Sequence, residues 1–286
     1  MKQAARVIVL GAAGQLGRQL VIRLGASPQW DVVGYDHRQL DIRDSRRARE
    51  SILDQRAEWL INAASLTDVD RCEAQADEAD AVNAHAVAGL AAICSEMKTT
   101  LVQVSTDYVF DGRSSVPYTE DAPPNPINVY GRSKWLGECF AREASRYLIV
   151  RTAWLFGRGG SNFVETILCQ ASAGAPLRVV HDQTGSPSYA PDMAECIERL
   201  MSINADGVFH IANGGSATRF ELACKAIELA NLHTPVQPVE SGVYPRPARR
   251  PSYGVLDCTK YIERTGHRPR EWAAALKAYV QGRSGC

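Results

Sequence analysis

The sequence has no excess of either charge and no long apolar segment. Its 32 lysines and arginines balance its 32 aspartates and glutamates, so the formal net charge is zero. Proteins that bind DNA or RNA usually carry a basic excess, and this balance argues against that class. The longest uncharged stretch, residues 81–95, is too short to span a bilayer and contains polar side chains. We therefore expect a globular protein that binds neither nucleic acid nor membrane.

The eight cysteines are scattered along the chain, and no two of them form a C-x-x-C pair. Metal clusters and disulfide frameworks usually need tighter spacing, so most of the cysteines are expected to be buried free thiols. The N-terminal apolar run breaks at once into a glycine-rich turn, which is not typical of a signal peptide. These features predict a cytoplasmic location.

Short apolar runs alternate with longer amphipathic ones through the first half of the chain. Brief β-branched segments predict strands at residues 6–10, 32–35, 59–62, 101–105 and 147–151. Segments with the length and period of helices separate them, at residues 15–24, 45–55, 79–97 and 130–144. This alternation predicts an α/β fold, a Rossmann-type doubly wound parallel sheet with helices on both faces.

The second half is less regular and richer in glycine and proline, and we expect it to form a smaller α/β lobe. Within it, a predicted helix at residues 191–201 and a strand at 208–211 repeat the order of the first half, so we place this pair in the parallel sheet. The predicted division is a cofactor-binding domain of residues 1–153 and 190–213 and a substrate-binding lobe of residues 154–189 and 214–286.

The first predicted strand runs into Gly11, Gly14 and Gly17 and then into a helix. The pyrophosphate of a dinucleotide binds backbone N–H groups at such a helix N-terminus, and side chains there would hold it away. We therefore predict that NADPH or NADH binds at this loop, with Gln15 and Leu16 beside it. The G-x-x-G-x-x-G spacing resembles that of the extended short-chain dehydrogenase/reductase superfamily.

The end of the second predicted strand leaves the choice of cofactor open. Asp36 lies where an acidic side chain hydrogen-bonds the ribose hydroxyls of NADH, whereas the guanidinium of Arg38 could bind the 2′-phosphate of NADPH. Two further segments resemble superfamily elements that contact the cofactor, namely Asp41 and Ile42 beside the adenine, and Asn62, Ala63 and Ala64 after the third strand.

Tyr130 and Lys134 are four residues apart, so they share one face of the predicted helix. A neighbouring ammonium stabilises a phenolate and lowers the pKa of the phenol, which makes the pair a proton-transfer device for carbonyl and alcohol chemistry. The preceding strand ends near Thr106, whose hydroxyl can hydrogen-bond a substrate carbonyl as negative charge grows on its oxygen. These three residues predict the catalytic site of a reductase whose nicotinamide cofactor supplies hydride.

Several longer motifs resemble the dTDP-4-dehydrorhamnose reductase family, and together they extend over nearly the whole chain. They are NAASLTDVDRCE at residues 62–73, STDYVFDG at 105–112, NVYGRSKWLGE at 128–138, RTAWLF at 151–156 and DQTGSP at 182–187. The resemblance implies reduction of the C4 keto group of a dTDP-6-deoxyhexose with NADPH or NADH, yielding dTDP-L-rhamnose. It also implies a substrate site that includes Thr67, Thr106, Asp107, Tyr108, Trp154, Asn162 and Gln183. Arg246 is a further candidate, because a diphosphate substrate needs cations.

Related activities differ from this pattern at the end of the fourth predicted strand. Sugar-nucleotide 4,6-dehydratases carry Asp-Glu after the threonine, and here Thr106 is followed by Asp107 and Tyr108, so dehydration is not expected. The Ser-Ser-Ala strand end of C4 epimerases is also missing. Two alternatives stay open, a reductase of a different nucleotide keto-sugar and a non-catalytic NADP-binding regulatory subunit resembling the β subunit of methionine adenosyltransferase.

Some members of this family are described as dimerising through a metal held by glutamates. In this chain the matching positions are Gln19 and Pro191, and neither is a good ligand for a hard cation. We therefore predict no metal and either a monomer or a homodimer.

Overall fold

The computed structural model describes residues 4–174 and 176–283. In chain order its strands are β1 (Ala5–Leu10), β2 (Trp30–Tyr35), β3 (Trp59–Asn62), β4 (Thr100–Thr106), β5 (Tyr147–Thr152), β6 (Leu155–Phe156), β7 (Leu177–Val180), β8 (Thr184–Gly185), β9 (Ser188–Tyr189), β10 (Gly207–His210), β11 (Ala217–Thr218), β12 (Val236–Val239) and β13 (Tyr253–Gly254). Its α-helices are α1 (Gln15–Gly25), α2 (Ser45–Leu53), α3 (Val69–Ala74), α4 (Ala76–Asp80), α5 (Ala86–Met97), α6 (Val129–Ala141), α7 (Phe163–Ser172), α8 (Ala190–Ser202), α9 (Arg219–Leu229), α10 (Thr259–Thr265) and α11 (Trp272–Gln281).

Six of the strands form a parallel sheet in the order β2–β1–β3–β4–β5–β10. Successive side chains of a strand point to opposite faces, so Val7 and Val9 of β1 pack with α1 and α8, whereas Ile8 and Leu10 pack with α2 and α5. Because helices cover both faces, the strands are apolar on successive residues. The predicted Rossmann-type α/β fold class is confirmed.

The second half adds one helix and one strand to this sheet and builds smaller units around them. As predicted, β10 pairs in parallel with β5, and α8 packs against α1. Outside the sheet, α9 packs against both α7 and α11 over two further apolar clusters. Short strands accompany these helices as the parallel pair β7–β12 and a three-stranded sheet in the order β11–β8–β13.

One predicted helix is interrupted. Residues 79–97 do not form one continuous α-helix, because a π-helical turn (Ala81–His85) separates α4 from α5. At this turn the Asn83 side chain accepts a hydrogen bond from the Leu66 amide (2.9 Å) and donates one to the Leu66 carbonyl (3.0 Å). The turn also lies against α6, since a Cβ on Gly137 would be 2.1 Å from the Asn83 carbonyl oxygen. These tertiary contacts explain why the regular helical period is broken at Asn83.

Among the residues that the structure describes, six cysteines carry free thiols, namely Cys72, Cys94, Cys139, Cys196, Cys224 and Cys258. Burial raises the pKa of Cys94, Cys196 and Cys258 to about 12, so these thiols stay protonated at neutral pH. Within residues 4–174 and 176–283, no helix is long and apolar enough to cross a membrane.

Candidate active site

The glycine loop between β1 and α1 approaches the neighbouring backbone more closely than side chains would permit. Gly11 has a φ of +75°, and a Cβ there would lie 2.7 Å from the Ala64 amide nitrogen. A Cβ on Gly17 would lie 2.1 Å from the Gly11 carbonyl oxygen. Gly14 is the N-cap residue of α1. The first turn of α1 is therefore open to the cleft, where its N–H groups can bind an anion.

The loop after β2 uses its acidic residue internally. The Asp36 carboxylate accepts hydrogen bonds from the backbone N–H groups of Arg38 (2.8 Å) and Gln39 (3.0 Å). The hydrogen bond from Gln39 is the main cause that lowers the pKa of Asp36. The Arg38 side chain is exposed, and no ion pair to it is seen in the described part of the chain. Further along, Asp41 is half-buried and Ile42 is buried.

The segment after β3 lies against the glycine loop. The Ala63 amide donates a hydrogen bond to the Leu10 carbonyl (3.1 Å) at the end of β1. The buried Asn62 side chain accepts one from the Ala64 amide (3.2 Å) and donates one to Gln103 of β4 (2.9 Å). These bonds connect β1, β3 and β4 at the edge of the sheet where the cleft begins.

The three predicted catalytic residues come from β4 and α6. Thr106 ends β4, and Tyr130 and Lys134 lie near the start of α6. Asn128 caps this helix by accepting a hydrogen bond from the Gly131 amide (2.7 Å). A Cβ on Gly131 would lie 2.1 Å from a carbonyl oxygen of the turn after β4, so glycine allows the helix to pack directly on that turn. The three side chains line one wall of the same cleft.

Burial controls the protonation of both titrating groups in this set. It raises the pKa of the Tyr130 phenol, and a hydrogen bond with Thr106 acts in the opposite direction. It lowers the pKa of Lys134 to about 8, against the attraction of the Glu138 carboxylate. The Lys134 ammonium donates to the Val104 carbonyl (2.7 Å), and the expected lowering of the phenol pKa by Lys134 is not seen. The phenol therefore keeps its proton at neutral pH, the state that a proton donor needs.

A buried ion pair lies behind the catalytic helix. Glu138, one turn after Lys134, is 0% exposed, and Arg151 of β5 is 1% exposed. The pair is joined by two hydrogen bonds of 2.8 Å, and Glu138 also accepts one from the Ser105 hydroxyl (2.6 Å). The network ties α6 to β4 and β5. Sequence reasoning missed Glu138 and Arg151, although both lie within the motifs that carry the family resemblance.

Asp107 is a second titrating group beside the predicted catalytic threonine. Its side chain is buried and forms a hydrogen bond of 2.9 Å with the Thr106 hydroxyl. Burial raises the pKa of Asp107 to about 7, although that hydrogen bond and the charge of Arg219 act in the opposite direction. A Cβ on Gly254 would lie 2.5 Å from Asp107 Oδ2, so β13 closes this side of the carboxyl group. The carboxyl group thus changes charge near neutral pH.

Two adjoining cavities contain most of the predicted site. The catalytic cleft, of about 490 Å³, is lined by Gly14, Gln15, Leu16, Gly17, Ala63, Thr67, Thr106, Asp107, Tyr108, Tyr130, Lys134 and Trp154, among others. The outer cavity, of about 600 Å³, includes Gln183 and Arg246 in its walls. Val69, Tyr108 and Arg219 line both cavities, so the two spaces meet at these residues.

Several other predicted residues lie outside these walls. Four residues predicted to contact the adenosine end of the cofactor line neither cavity. They are Asp36, Arg38, Asp41 and Ile42. Asn162 caps α7 by accepting a hydrogen bond from the Glu165 amide (2.9 Å), and its side-chain amide donates to the Gly157 carbonyl (3.0 Å). Asn162 therefore holds the loop before α7, and a direct contact with substrate stays a prediction.

The outer cavity is rich in arginine. Arg250 forms an ion pair with Asp70 of α3 (2.6 Å), and Arg246 lies 3.5 Å from the same carboxylate. The hydrogen bond from Arg250 is the main cause that lowers the pKa of Asp70 to about 2. Arg249 and Arg219 complete this basic lining. The R-P-A-R-R run at residues 246–250 indicated the first three arginines, whereas no local pattern indicated Arg219.

The chain matches the family described as RmlD substrate binding domain over residues 5–284. A dTDP-4-dehydrorhamnose reductase of Mycolicibacterium smegmatis is 36% identical, and the alignment covers 97% of this chain and 85% of that protein. The chain belongs to the dTDP-4-dehydrorhamnose reductase family. The spore coat polysaccharide biosynthesis protein SpsK of Bacillus subtilis is 39% identical to this chain, and the alignment covers 98% of both chains.

The fold of this chain is also closely similar to solved structures of reductases. The dTDP-4-dehydrorhamnose reductase of Bacillus anthracis, solved in complex with NADP, superposes with a TM-score of 0.94 at 35% identity. The alignment covers 98% of this chain and 100% of that one. A UDP-glucose 4-epimerase of Thermus thermophilus, solved with NAD, has a TM-score of 0.84 at 20% identity over 98% and 100% of the two chains, and this likeness concerns the fold alone.

Proposed function

We propose that this protein reduces the C4 keto group of a dTDP-4-keto-6-deoxyhexose with NADPH, converting dTDP-4-dehydrorhamnose to dTDP-L-rhamnose. The observation that carries the proposal is the position of Thr106, Tyr130 and Lys134 in the same cleft as the glycine loop. A hydride acceptor bound at these three side chains is then next to the loop that would hold the cofactor. The reductase named in Mycolicibacterium smegmatis, 36% identical over nearly the whole chain, supports the same substrate.

The residues of the glycine loop suit a nicotinamide dinucleotide. Side chains at Gly11 or Gly17 would strike the neighbouring backbone, so the loop is built without them and its amides stay accessible to a pyrophosphate. When bound, the cofactor supplies the hydride. We assign to Lys134 the binding of the cofactor ribose, because Lys134 lines the cleft one helical turn after Tyr130.

Protons in the proposed reaction are handled by Tyr130, Thr106 and Asp107. The Tyr130 phenol, protonated at neutral pH, gives its proton to the C4 oxygen as hydride arrives at carbon. The Thr106 hydroxyl donates a hydrogen bond to the same oxygen. In the structure the Thr106 hydroxyl donates to the Asp107 carboxylate at 2.9 Å. When Asp107 is protonated, this hydrogen bond can reverse and leave the threonine proton to the substrate. The raised pKa of Asp107, about 7, keeps this form populated at neutral pH.

The loop after β2 supports NADPH over NADH. The Asp36 carboxylate is occupied by two backbone amides of its own loop, which reduces its capacity to accept hydrogen bonds from ribose hydroxyls. The exposed guanidinium of Arg38 is placed two residues later, where it could bind a 2′-phosphate. The Bacillus anthracis reductase, solved with NADP, agrees with this preference.

The division of labour along the chain follows the same proposal. Residues 1–153 and 190–213 bind the cofactor, and residues 154–189 and 214–286 bind the sugar nucleotide. Of these, residues 1–3, 175 and 284–286 lie outside the described residues.

A cytoplasmic location, the absence of a metal, and a monomeric or homodimeric state stay predictions. Gln19 and Pro191 lie together in one shallow depression with Glu198, so the positions compared for metal binding are neighbours in space.

The proposal is tested by mixing the purified protein with NADPH and dTDP-4-dehydrorhamnose (dTDP-4-keto-6-deoxy-L-mannose) and following NADPH absorbance. Wild-type protein should oxidise NADPH in proportion to added sugar nucleotide. Tyr130→Phe should lose most of the activity, whereas Tyr147→Phe, a tyrosine in β5 away from the cleft, should keep it. NADPH oxidation at the Tyr130→Phe rate by the wild-type protein would refute the proposed reaction.

A second candidate keeps the chemistry and changes the sugar. The dTDP-4-keto-6-deoxy-D-glucose reductase of Streptomyces niveus is 38% identical, with 95% of both chains covered, so a substrate of different stereochemistry is supported at similar identity. A panel of dTDP-, UDP- and GDP-keto-sugars ranked by kcat/KM distinguishes the two. The regulatory-subunit alternative predicts that no member of the panel is reduced.

A further inference from the structure

Arg219 presents an uncommitted guanidinium at the boundary between the two cavities. It is the first residue of α9, and its guanidinium carbon lies 3.7 Å from the Trp154 ring centroid and 4.9 Å from that of Phe163. A guanidinium has five N–H donors. Within the described residues, those of Arg219 have no hydrogen-bond acceptor and no ion-pair partner. The guanidinium thus lies over the Trp154 ring, and its N–H donors are available to a ligand.

The aromatic platform beneath this guanidinium is specifically built. Trp154 adopts a φ of +44°, a left-handed conformation that non-glycine residues rarely adopt and that persists where the surrounding structure enforces it. Space for its ring is provided by Gly185, where a Cβ would lie 2.4 Å from a ring atom. Gly185 belongs to β8, which pairs with β11, the strand that leads directly into Arg219. The same small sheet therefore positions both the ring and the cation.

The start of α9 is equally well fixed. Thr218 and Glu221 form a reciprocal capping box, and the Arg219 amide donates a hydrogen bond to the Gln183 carbonyl (3.2 Å). Burial lowers the pKa of Arg219, against the attraction of Tyr108 and Asp107, and an arginine remains charged in such a site. A fixed positive charge with free donors at a cavity wall is suited to an anionic ligand.

The position of Arg219 between the cavities identifies the anion. Under the proposed function, the keto-sugar occupies the catalytic cleft beside Tyr130, and the nucleoside occupies the arginine-rich outer cavity. In a nucleotide sugar, the group that connects these two parts is the diphosphate. Of the three residues that line both cavities, Val69, Tyr108 and Arg219, only the arginine carries a charge.

We propose that Arg219, held on the Trp154 ring, is the residue that binds the diphosphate of the sugar nucleotide and thereby positions the sugar at Tyr130. The inference rests on the proposed function. Arg246 and Arg250 have Asp70 as a partner, so their charges are partly neutralised within the protein, whereas Arg219 offers its donors to the ligand.

The test is calorimetric titration of the NADPH-saturated protein with dTDP and, separately, with thymidine. Loss of a charge-assisted hydrogen bond predicts that Arg219→Met weakens dTDP binding about ten-fold to a hundred-fold and leaves thymidine binding unchanged. Arg219→Lys, which keeps the charge but not the planar stack, should show a smaller loss of dTDP affinity. Arg178→Met is the matched control, because Arg178 also lies over an aromatic ring, at 5.8 Å from Tyr244, but lines neither cavity.

Wild-type affinity of Arg219→Met for dTDP, or an equal loss for dTDP and thymidine, would overturn the inference. If Arg219→Met does not fold, as judged by circular dichroism and NADPH binding, Arg219→Lys decides, and its wild-type affinity for dTDP would overturn the inference. The two proposals fail separately. Arg219-dependent dTDP binding without reduction of any keto-sugar contradicts the proposed function alone, and reduction with an unchanged KM in Arg219→Met contradicts this inference alone.

Discussion

Replacement of Glu138 by glutamine should destabilise the protein and shift the pH dependence of its activity. Glu138 and Arg151 are 0% and 1% exposed, so the substitution leaves a guanidinium buried without its counter-charge. The glutamine also puts an N–H donor where the carboxylate accepts hydrogen bonds from Arg151, Ser105 and Arg142. Breaking a buried ion pair by removing one partner costs about 3 to 5 kcal/mol, and we expect a loss near the lower value because the shape is kept.

The stability change is measured by urea unfolding of Glu138→Gln and wild-type protein. Glu143→Gln is the matched control, since Glu143 lies on the exposed surface just after α6, and it should change the free energy of unfolding by less than about 0.5 kcal/mol. In a double-mutant cycle, Glu138→Gln with Arg151→Met should lose less stability than the sum of the single variants. Equal stability of Glu138→Gln and wild-type protein would refute the reasoning.

A kinetic readout separates positioning from stability alone. The Glu138 carboxylate raises the pKa of Lys134, against the effect of burial that brings it to about 8. Removing that negative charge should lower the Lys134 pKa further, so Lys134 loses its proton at lower pH. The alkaline decline of kcat/KM should therefore begin at lower pH in Glu138→Gln. A merely structural role would lower stability and leave that decline where it is in the wild-type enzyme.

Three further predictions concern other residues. The pKa of Asp107 is about 7 in the folded protein and 3.8 for an ordinary aspartate, so the folded state keeps a proton that the unfolded chain has lost, and stability falls as pH rises between these values. Asp107→Asn removes this effect. Between pH 5 and pH 7 its free energy of unfolding, measured in urea, should rise by about 2 kcal/mol relative to that of wild-type protein. A difference between the two proteins that does not change with pH would contradict this prediction. Gly137→Ala should lower the free energy of unfolding by about 3 kcal/mol, because its Cβ would lie 2.1 Å from the Asn83 carbonyl oxygen. Gly25→Ala, with open space around its Cβ, should leave thermal unfolding unchanged. Arg38→Ala should raise KM for NADPH about ten-fold and leave KM for NADH unchanged, and an equal change for both cofactors would argue against a 2′-phosphate contact.

The parallel sheet and the glycine loop could be predicted from sequence because their signals are local. Buried strands are continuous apolar runs, and the loop glycines follow the first strand directly. Two helices of the second half also carry local sequence signals at their first residues. Asn162 is followed three residues later by Glu165, and Thr218 by Glu221, a spacing typical of helix starts, and α7 and α9 begin there.

Other features depend on contacts between distant parts of the chain. The π-helical turn arises where Asn83 binds the Leu66 backbone, and a helical period alone cannot indicate it. Arg219 acquires its place because Trp154, 65 residues earlier, stacks on it and Gly185 makes room for the ring. The pKa of Tyr130 is also set by tertiary structure, since burial raises it and the opposing contribution comes from Thr106 of β4, not from the lysine four residues later.

Transfer of deuterium from NADPH to the sugar tests the central claim most directly. Protein incubated with NADPH deuterated at C4 of the nicotinamide and with dTDP-4-keto-6-deoxy-L-mannose should yield dTDP-L-rhamnose with deuterium at C4 of the sugar, detected by NMR. Tyr130→Phe should form this product at a small fraction of the wild-type rate. A product without deuterium at that carbon, or an undiminished rate in Tyr130→Phe, would contradict the account.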